Sequence, residues 1–388
     1  MTLTGRRRAG VVVVGAGAIG LAIALQLRRA GVEGVLVVDR NASPGMGSTS
    51  RANGGVRAQF TTPCNIVFSQ FTIDKLEELH DHTGGQVGLR RVGYLFMSGT
   101  ETGAASLRNS FDLQRSMGVD VHWLSAEDVA ERVPLINVDG VRAATLCAGD
   151  GIIDPHGVVS ALWSEARRLE TSFLFDTEVL GIDVVSRGTR VRTDGADIDA
   201  DYVVNAAGPF ARDLAAMAGI DVPVTPHKRN LAVTEGVPGM PDSIPMCVDA
   251  DTGVLIRREG GGFLIGYSDP NDPPTLDTAF DPAFLEAIAA RIGNRFAFLE
   301  NVPISARKCW AGLYPETADH HAIVAAPAAV PWFIQCVGFG GHGIMHSFAA
   351  GQAVTELVTT GTCTTFDLQP LRLERFTEPG AVVETAVL

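Results

Sequence analysis

A short β-branched strand that leads into a glycine motif constrains this chain more than any other feature. The strand, Val11 to Val14, is followed by Gly15-Ala16-Gly17-Ala18-Ile19-Gly20 and by a helical stretch that runs to Arg29. A second strand, Val35 to Val38, then ends at Asp39. Strand, G-x-G-x-x-G, helix, strand and acidic residue is the order of a dinucleotide-binding unit. We therefore predict a Rossmann-type parallel sheet that binds a dinucleotide.

The residues of the glycine motif each have a physical reason in such a unit. Gly15 allows the tight turn after the strand, Gly17 lets the backbone approach a pyrophosphate, and Gly20 allows the helix to pack closely on the strand. The first N–H groups of the helix, near Ala18 and Ile19, face the phosphates, whose negative charge the helix dipole favours. These five residues are therefore candidate cofactor-binding residues.

Asp39 and the segment after it distinguish the dinucleotides. A carboxylate at the end of the second strand accepts hydrogen bonds from ribose hydroxyls and repels a 2′-phosphate, which disfavours NADP. An NAD dehydrogenase usually continues with more strands and helices, whereas residues 41–57 here are rich in Gly, Ser and other small residues. Such a connection brings N–H groups and hydroxyls close to a ligand, although a flexible surface loop has the same composition. The further candidates are Arg40, Ser48, Thr49, Ser50, Asn53, Gly54 and Gly55.

The beginning of the chain also resembles a targeting or membrane segment. Arg6-Arg7-Arg8 precede an uncharged stretch from Ala9 to Leu27, long enough for a signal peptide or a membrane span. The glycine motif inside the stretch explains it better, so we predict no membrane span. Six scattered cysteines without C-x-x-C spacing favour a reducing compartment, and we expect a cytoplasmic protein.

Charge and histidine spacing argue against two other classes of function. With 31 Lys and Arg against 44 Asp and Glu, the formal net charge is −13, which disfavours a nucleic-acid-binding surface. A small anionic substrate is still compatible, because a local Arg can oppose the overall charge. The pairs His320-His321 and His342…His346 have no Cys close by, so no metal site is predicted.

Two helices can be predicted from periodicity and capping. Apolar residues recur at helical spacing from Asn65 to His80. Asp154 and Pro155 suit the N-cap and first position of a helix that runs to Arg168.

Five motifs follow one another over nearly the whole chain. They are GAGAIG (15–20), GSTSRANGGVRAQF (47–60), DYVVNAAGPFA (201–211), WAGLYPETADHHAIV (310–324) and GFGGHGIMHSFAAGQAV (338–354). In this order they resemble the D-amino-acid oxidase-like superfamily of FAD-dependent amine oxidoreductases. The closer look-alikes are sarcosine oxidases, dimethylglycine-type dehydrogenases and the FAD subunits of proline dehydrogenase complexes.

The resemblance implies FAD as the cofactor and a particular α/β architecture. A Rossmann-type FAD-binding domain is expected to be interleaved with an α+β substrate domain built on an antiparallel sheet. Residues 1–90, 151–225 and 309–388 are expected to form the FAD-binding domain, and residues 91–150 and 226–308 the substrate domain.

The resemblance also assigns roles to individual residues. Arg57 is at the position whose guanidinium binds the substrate carboxylate, a role that suits its planar fork of donors; a surface salt bridge is the alternative. His342 is the second candidate for the catalytic pocket, with a structural role as its alternative. Further residues expected next to the cofactor are Val179, Ala206, Ala207, Gly208, Gly312, Gly338, Gly340, Gly341, His342, Gly343, Ile344 and Met345.

Three positions qualify the resemblance to sarcosine oxidases. Met345 replaces a second carboxylate-binding Lys of the monomeric enzymes, which weakens the case for sarcosine itself. Leu264 replaces a Lys that assists reaction with oxygen, which favours a dehydrogenase or a slow oxidase. Gly312 stands where some relatives attach FAD to a Cys, so we expect FAD to be held non-covalently although Cys309 is nearby.

The predicted reaction is oxidation of an amino acid or N-alkyl amino acid to the imine by hydride transfer to the flavin, followed by hydrolysis. The expected partners are a small carboxylate-bearing amine and oxygen or another electron acceptor. One alternative is a flavoenzyme of the same fold that acts on a hydroxy acid or a larger biosynthetic amine. Another is an FAD-binding subunit that depends on a partner, and the oligomeric state is not determined by the sequence.

Overall fold

The dinucleotide-binding unit is present as expected. The computed structural model describes residues 7–184, 188–380 and 382–386. It contains β1 (Arg7–Val14), α1 (Ala18–Arg29) and β2 (Val35–Val38), and the two strands pair in parallel. The uncharged stretch after the arginines is therefore a strand and a buried helix, and no helix in the described part of the chain has the length and apolar character to cross a bilayer. Arg6 lies outside the described residues.

The remaining helices and strands follow along the chain, several strands in succession. In order they are β3 (Gly55–Val56), α2 (Pro63–His82), β4 (Tyr94–Ser98), α3 (Glu101–Ser116), β5 (Val121–Leu124), α4 (Ala126–Arg132), β6 (Ala143–Cys147), β7 (Gly151–Ile152), α5 (Pro155–Arg168), β8 (Ser172–Leu174), β9 (Val179–Val184), β10 (Thr189–Thr193), β11 (Ile198–Asn205), α6 (Ala211–Ala216), β12 (Thr225–Val233), β13 (Met246–Asp249), β14 (Val254–Glu259), β15 (Gly262–Gly266), α7 (Ala283–Ile292), β16 (Trp310–Glu316), β17 (Ile323–Ala325), β18 (Phe333–Val337) and α8 (Ser347–Thr360).

The first sheet has the order β17-β18-β11-β1-β2-β8, and β9 and β10 continue from β11 as an antiparallel extension. β18, β11, β1, β2 and β8 are parallel, so their carboxyl ends meet at one edge of the sheet. α1 packs so closely on α8 that a Cβ added to Gly351 would lie 2.8 Å from the carbonyl oxygen of Ala22. This doubly wound arrangement places a ligand site beyond the carboxyl edge of the strands.

The second sheet has the order β16-β12-β15-β14-β13-β4-β6-β5. All of its described pairs are antiparallel except β13 with β4, so the predicted antiparallel sheet is confirmed with one parallel exception. β16 lies in this sheet, although residues 309–388 are predicted to belong to the FAD-binding domain. The domain boundaries stay a prediction.

Both faces of the second sheet are buried. Because side chains alternate along a strand, Leu95 and Met97 of β4 face a core that includes α7, while Tyr94 and Phe96 face the opposite way. The second face meets the segment that links the two sheets, where a Cβ on Gly55 would lie 3.1 Å from the Tyr94 hydroxyl. This second face, which carries Tyr94 and Phe96 and is called here the aromatic face, therefore lies against residues 53–60.

The six cysteines are all free thiols. Burial raises the pKa of the Cys64 thiol to about 11 and that of Cys147 to about 12, so neither is a thiolate near neutral pH. The cytoplasmic location inferred from cysteine usage stays a prediction.

Candidate active site

A cavity of about 620 Å³ lies at the carboxyl edge of the first sheet, where β1, β2 and β18 end. This volume is in the range of small-molecule and cofactor sites. The residues predicted from the sequence that line it are Gly15, Gly17, Ala18, Ile19, Asp39, Arg40, Ser48, Thr49, Val179, Ala206, Ala207, Gly208, Gly338, Gly340 and Gly343. Segments that are far apart in the sequence thus meet around one cavity.

The other predicted residues do not line this cavity. A Cβ on Gly20 would lie 1.9 Å from the carbonyl oxygen of Gly15, so Gly20 serves the close packing of helix on strand. The side chain of Asn53 accepts a hydrogen bond from the Gly55 N–H at 2.8 Å. Direct cofactor contacts stay a prediction for Ser50, Asn53, Gly54, Gly55, Gly312, Gly341, His342, Ile344 and Met345.

The N-terminus of α1 opens into the cavity. Gly15 has φ +114°, and a Cβ there would lie 2.3 Å from the carbonyl oxygen of Ala206, so only glycine fits. The first turn of α1 carries no acidic side chain that would repel an anion. Two neighbouring N–H groups are already used: Ala16 donates to the Asp39 carboxylate at 2.7 Å and Ala18 to the Thr49 hydroxyl at 3.1 Å. The remaining N–H groups of the first turn have no helical carbonyl to bond and suit a phosphate.

Ser48 provides an independent test of whether a phosphate-bearing group fits. Its hydroxyl oxygen is buried at the cavity wall and has no hydrogen-bond partner among the described residues. A buried polar group without a partner costs about 1–3 kcal/mol, so such a hydroxyl is expected to bind a ligand atom. Together with the glycine turn and the α1 N-terminus, it fits the pyrophosphate of a dinucleotide such as FAD.

Asp39 and a stacked pair, Arg40 and Phe210, form one end of the cavity. The second Asp39 oxygen accepts from the Asn41 N–H at 2.8 Å, which fixes the carboxylate at the cavity wall. The guanidinium of Arg40 lies over the ring of Phe210 at 3.8 Å from its centroid. Phe210 lies in the motif DYVVNAAGPFA, but the sequence alone does not mark it as a site residue. Leu276 and Thr278 also line the cavity, and their loop carries no local signal for this position.

The glycine-rich turn before α8 closes the other end. Gly338 has φ +77° and Gly340 has φ +51°, so both adopt backbone conformations that favour glycine. The ring of Tyr314 packs directly on Gly341, where a Cβ would lie 2.6 Å away. The cavity is lined by the turn itself, including Phe339, and not by residues of α8.

Arg57 does not line the cavity and is buried against the aromatic face of the second sheet. It is only 1% exposed, and its guanidinium lies 4.0 Å from the centroid of the Phe60 ring and 5.5 Å from that of Phe96. Its two terminal nitrogens donate to the carbonyl oxygens of Gln59 and Ala386. It takes part in no ion pair among residues 7–184, 188–380 and 382–386, so the surface salt bridge considered as its alternative role is absent there. The substrate role of Arg57 stays a prediction.

A hydrogen-bond network involving Gln59 and Asp150 fixes the segment after β3 that carries Arg57. Asp150 accepts from the Ala58 N–H at 2.8 Å and from the Gln59 side chain at 3.1 Å. The same Gln59 nitrogen donates to the Tyr94 carbonyl at 2.8 Å. Burial raises the pKa of Asp150 to about 6, although these hydrogen bonds oppose the shift. The network was missed because a lone acidic residue between two glycines was the one signal for it.

His342 and His346 pack against the other side of Phe60. Their ring centroids lie 4.8 Å and 5.3 Å from that of Phe60. Burial lowers the pKa of both imidazoles well below the ordinary value, so both are neutral at physiological pH. His342 is therefore an uncharged neighbour of the ring on which Arg57 lies, and its catalytic role stays a prediction.

Comparison with known proteins supports the same cofactor. The family model described as DAO, FAD dependent oxidoreductase, matches residues 10–357. FAD-dependent oxidoreductase domain-containing protein 1 of Xenopus laevis is 28% identical, covering 98% of this chain and 85% of that protein. Mitochondrial dimethylglycine dehydrogenase of Rattus norvegicus is 26% identical over 95% of this chain and 45% of its own. The crystal structure of L-proline dehydrogenase from P. horikoshii superposes with a TM-score of 0.88, at 26% identity over 96% of this chain and 99% of that chain.

Proposed function

Because the chain belongs to the family of FAD-dependent oxidoreductases, we propose that it oxidises a carboxylate-bearing amine, either an amino acid or an N-alkyl amino acid, to the imine. The observation that supports this most is Arg57, a buried guanidinium that forms no ion pair within 4 Å of a carboxylate in the described structure. Asp150 and Glu384 interact with its charge at longer range, and its planar fork matches a carboxylate in direct contact. Dimethylglycine and L-proline, named as substrates of two relatives, both carry a carboxylate beside a C–N bond.

In this proposal Arg57 binds the carboxylate and thereby orients the α-carbon. FAD supplies the acceptor for the hydride that leaves the α-carbon. The aromatic rings of Phe60, Tyr94 and Phe96 around the guanidinium exclude water from the carboxylate. Because His342 and His346 are neutral, they add no second positive charge that would compete with Arg57.

The amine enters the reaction as the neutral form after its proton has passed to solvent. As the C–H electron pair leaves as hydride, the nitrogen lone pair forms the C=N bond, and the product is the positively charged, protonated imine. Water then adds to the imine carbon and releases the amine and a keto acid. No side chain is required as a base, and orientation and exclusion of water account for the protein's contribution.

Leu264 supports a dehydrogenase rather than a fast oxidase. It is fully buried in β15, in an apolar cluster with Leu231 and Leu255, and so offers no cation for the reaction with oxygen. We expect flavin reduced by substrate to be reoxidised slowly by air and quickly by an added dye acceptor. Fast reoxidation by air would contradict this part of the proposal. Release of all flavin on denaturation would agree with non-covalent attachment.

Anaerobic titration of the purified flavoprotein with D-, L- and N-methyl amino acids tests the proposal. We expect one class to bleach the visible flavin band. Arg57→Lys, which retains the charge and loses the fork, should raise KM about tenfold or more, since hydrogen bonds to charged groups contribute about 1.5–3 kcal/mol. Amines that lack the carboxylate are the matched control and should respond equally in both proteins. Bleaching by hydroxy acids alone, or by nothing, would refute the proposal.

A further inference from the structure

The segment 382–386, called here the Glu384 segment, lies against the candidate substrate arginine. The Ala386 carbonyl oxygen accepts a hydrogen bond from a terminal nitrogen of Arg57. Glu384 is itself completely buried, although Glu378 a few residues earlier is exposed. The contact joins residues 57 and 386, so it reflects a specific tertiary position of the segment.

Glu384 anchors this segment through several donors. Its carboxylate accepts from the Thr61 N–H at 3.0 Å, the Thr61 hydroxyl at 2.5 Å, the Thr62 hydroxyl at 2.6 Å and the Asn65 amide at 3.1 Å. Thr62 is the N-cap of α2, so the carboxylate lies at the positive end of that helix. The Glu384 N–H also donates to the Asp319 carbonyl at 3.1 Å. Although burial opposes it, hydrogen bonds from Thr61 and Thr62 hold the pKa of Glu384 below its ordinary value.

We propose that Glu384 is a positioning residue that lowers the affinity of the site for carboxylates. It holds the Ala386 carbonyl on Arg57, where this carbonyl competes with the substrate carboxylate. The inference rests on the proposed role of Arg57. A carboxylate that reaches this nitrogen must displace the Ala386 carbonyl. An ionised acceptor forms the stronger hydrogen bond, so the exchange is favourable but reduces the net affinity. A ligand that does not use Arg57 requires no such exchange.

Loss of the Glu384 anchor should therefore increase affinity for carboxylates. In Glu384→Ala we expect the Kd of propionate, measured from the flavin spectrum, to fall about tenfold, the equivalent of one charge-assisted hydrogen bond. KM for carboxylate-bearing amines should fall in parallel with kcat unchanged. Amines without a carboxylate should be unaffected, and a purely structural role would not produce that difference.

The matched control is Glu378→Ala, which removes the same group from an exposed residue paired with Arg372. It should leave the propionate Kd unchanged. Glu384→Gln retains the side-chain shape and keeps the test valid if the alanine variant does not fold, but it removes the same negative charge near Arg57. A smaller fall in the propionate Kd than in Glu384→Ala is expected, because only the alanine variant loses the whole anchor; an equal fall in both would assign the effect to the charge and overturn the inference. In the unmodified protein, saturating propionate should also accelerate amide hydrogen exchange in residues 382–386.

Two results would overturn the inference in distinguishable ways. If both Glu384 variants lower Tm while the propionate Kd is unchanged or higher, the segment only braces the fold, and the proposed function stands. If Arg57→Lys binds propionate as tightly as the unmodified protein, the carboxylate is not bound at Arg57. That second result would refute this inference together with the role of Arg57 in the proposed function.

Discussion

Replacing Ser48 by Ala should have opposite effects on the protein without FAD and on FAD binding. The Ser48 hydroxyl is buried in the cavity wall and lacks a partner among the described residues. Because an unsatisfied buried hydroxyl costs about 1–3 kcal/mol, its removal should stabilise the apoprotein by an amount of that order. If the hydroxyl donates to an ionised phosphate, the bound form loses about 1.5–3 kcal/mol, which raises the FAD Kd about ten- to a hundredfold.

Urea unfolding of the apoprotein and fluorescence titration with FAD measure the two effects separately. Ser116→Ala is the matched control, because its exposed hydroxyl donates to the Leu113 carbonyl at 2.7 Å and Ser116 does not line the cavity. We expect Ser116→Ala to change neither quantity by more than about 0.5 kcal/mol. An unchanged FAD Kd in Ser48→Ala, or a less stable apoprotein, would refute the assignment of this hydroxyl to the cofactor.

Three further predictions concern stability. Gly20→Ala places a Cβ 1.9 Å from a backbone carbonyl oxygen and should lower the unfolding free energy of the apoprotein, measured in urea, by about 1–3 kcal/mol or more. A Cβ at Gly47 meets nothing within 4 Å, so Gly47→Ala should be nearly neutral. Equal effects of the two substitutions would contradict the packing argument. The folded pKa of Asp150, about 6, lies above the unfolded value of 3.8, so unfolding free energy should fall by about 2.4 kcal/mol relative to Asp150→Asn as pH rises from 4 to 7. A difference in unfolding free energy between the unmodified protein and Asp150→Asn that does not change with pH would refute this prediction. The folded pKa of Glu356, about 2, lies below 4.5, so its stabilisation relative to Glu356→Gln should be full above pH 4.5 and disappear as pH falls toward 2; persistence at pH 2 would contradict it.

The parts of the fold that depend on local signals were predictable. The run from Val11 to Asp39 combines strand, turn and helix signals within one short stretch, and the structure confirms each of them. Asp154 is the N-cap of α5, where its side chain accepts from the His156 N–H at 2.9 Å, and Pro155 is the first helical residue. The resemblance carried by five motifs is confirmed by the family match over residues 10–357, and with it FAD as the cofactor.

Features that depend on tertiary contacts were not predictable in the same way. β13 is four residues long and buried on both sides, so its sequence lacks the alternation that marks a half-exposed strand. β16 was assigned with the cofactor segments by motif order, whereas its backbone pairs with β12. The approach of Glu384 to the start of α2 has no signal in either segment, because acidic residues near Thr and Asn occur throughout soluble proteins.

The pairing of distant strands has a consequence for how this chain reaches its folded state. In the first sheet Val13 lies opposite Val204, and β11 then needs β18 as its other neighbour. In the second sheet Leu95 lies opposite Cys247. During synthesis, β1 can pair with β2 and β4 with β6 soon after they emerge, but the other edge of each strand has no partner until β11 or β13 is made. Closing such long loops slows folding and lengthens exposure to aggregation, so refolding from denaturant should be slow and sensitive to protein concentration.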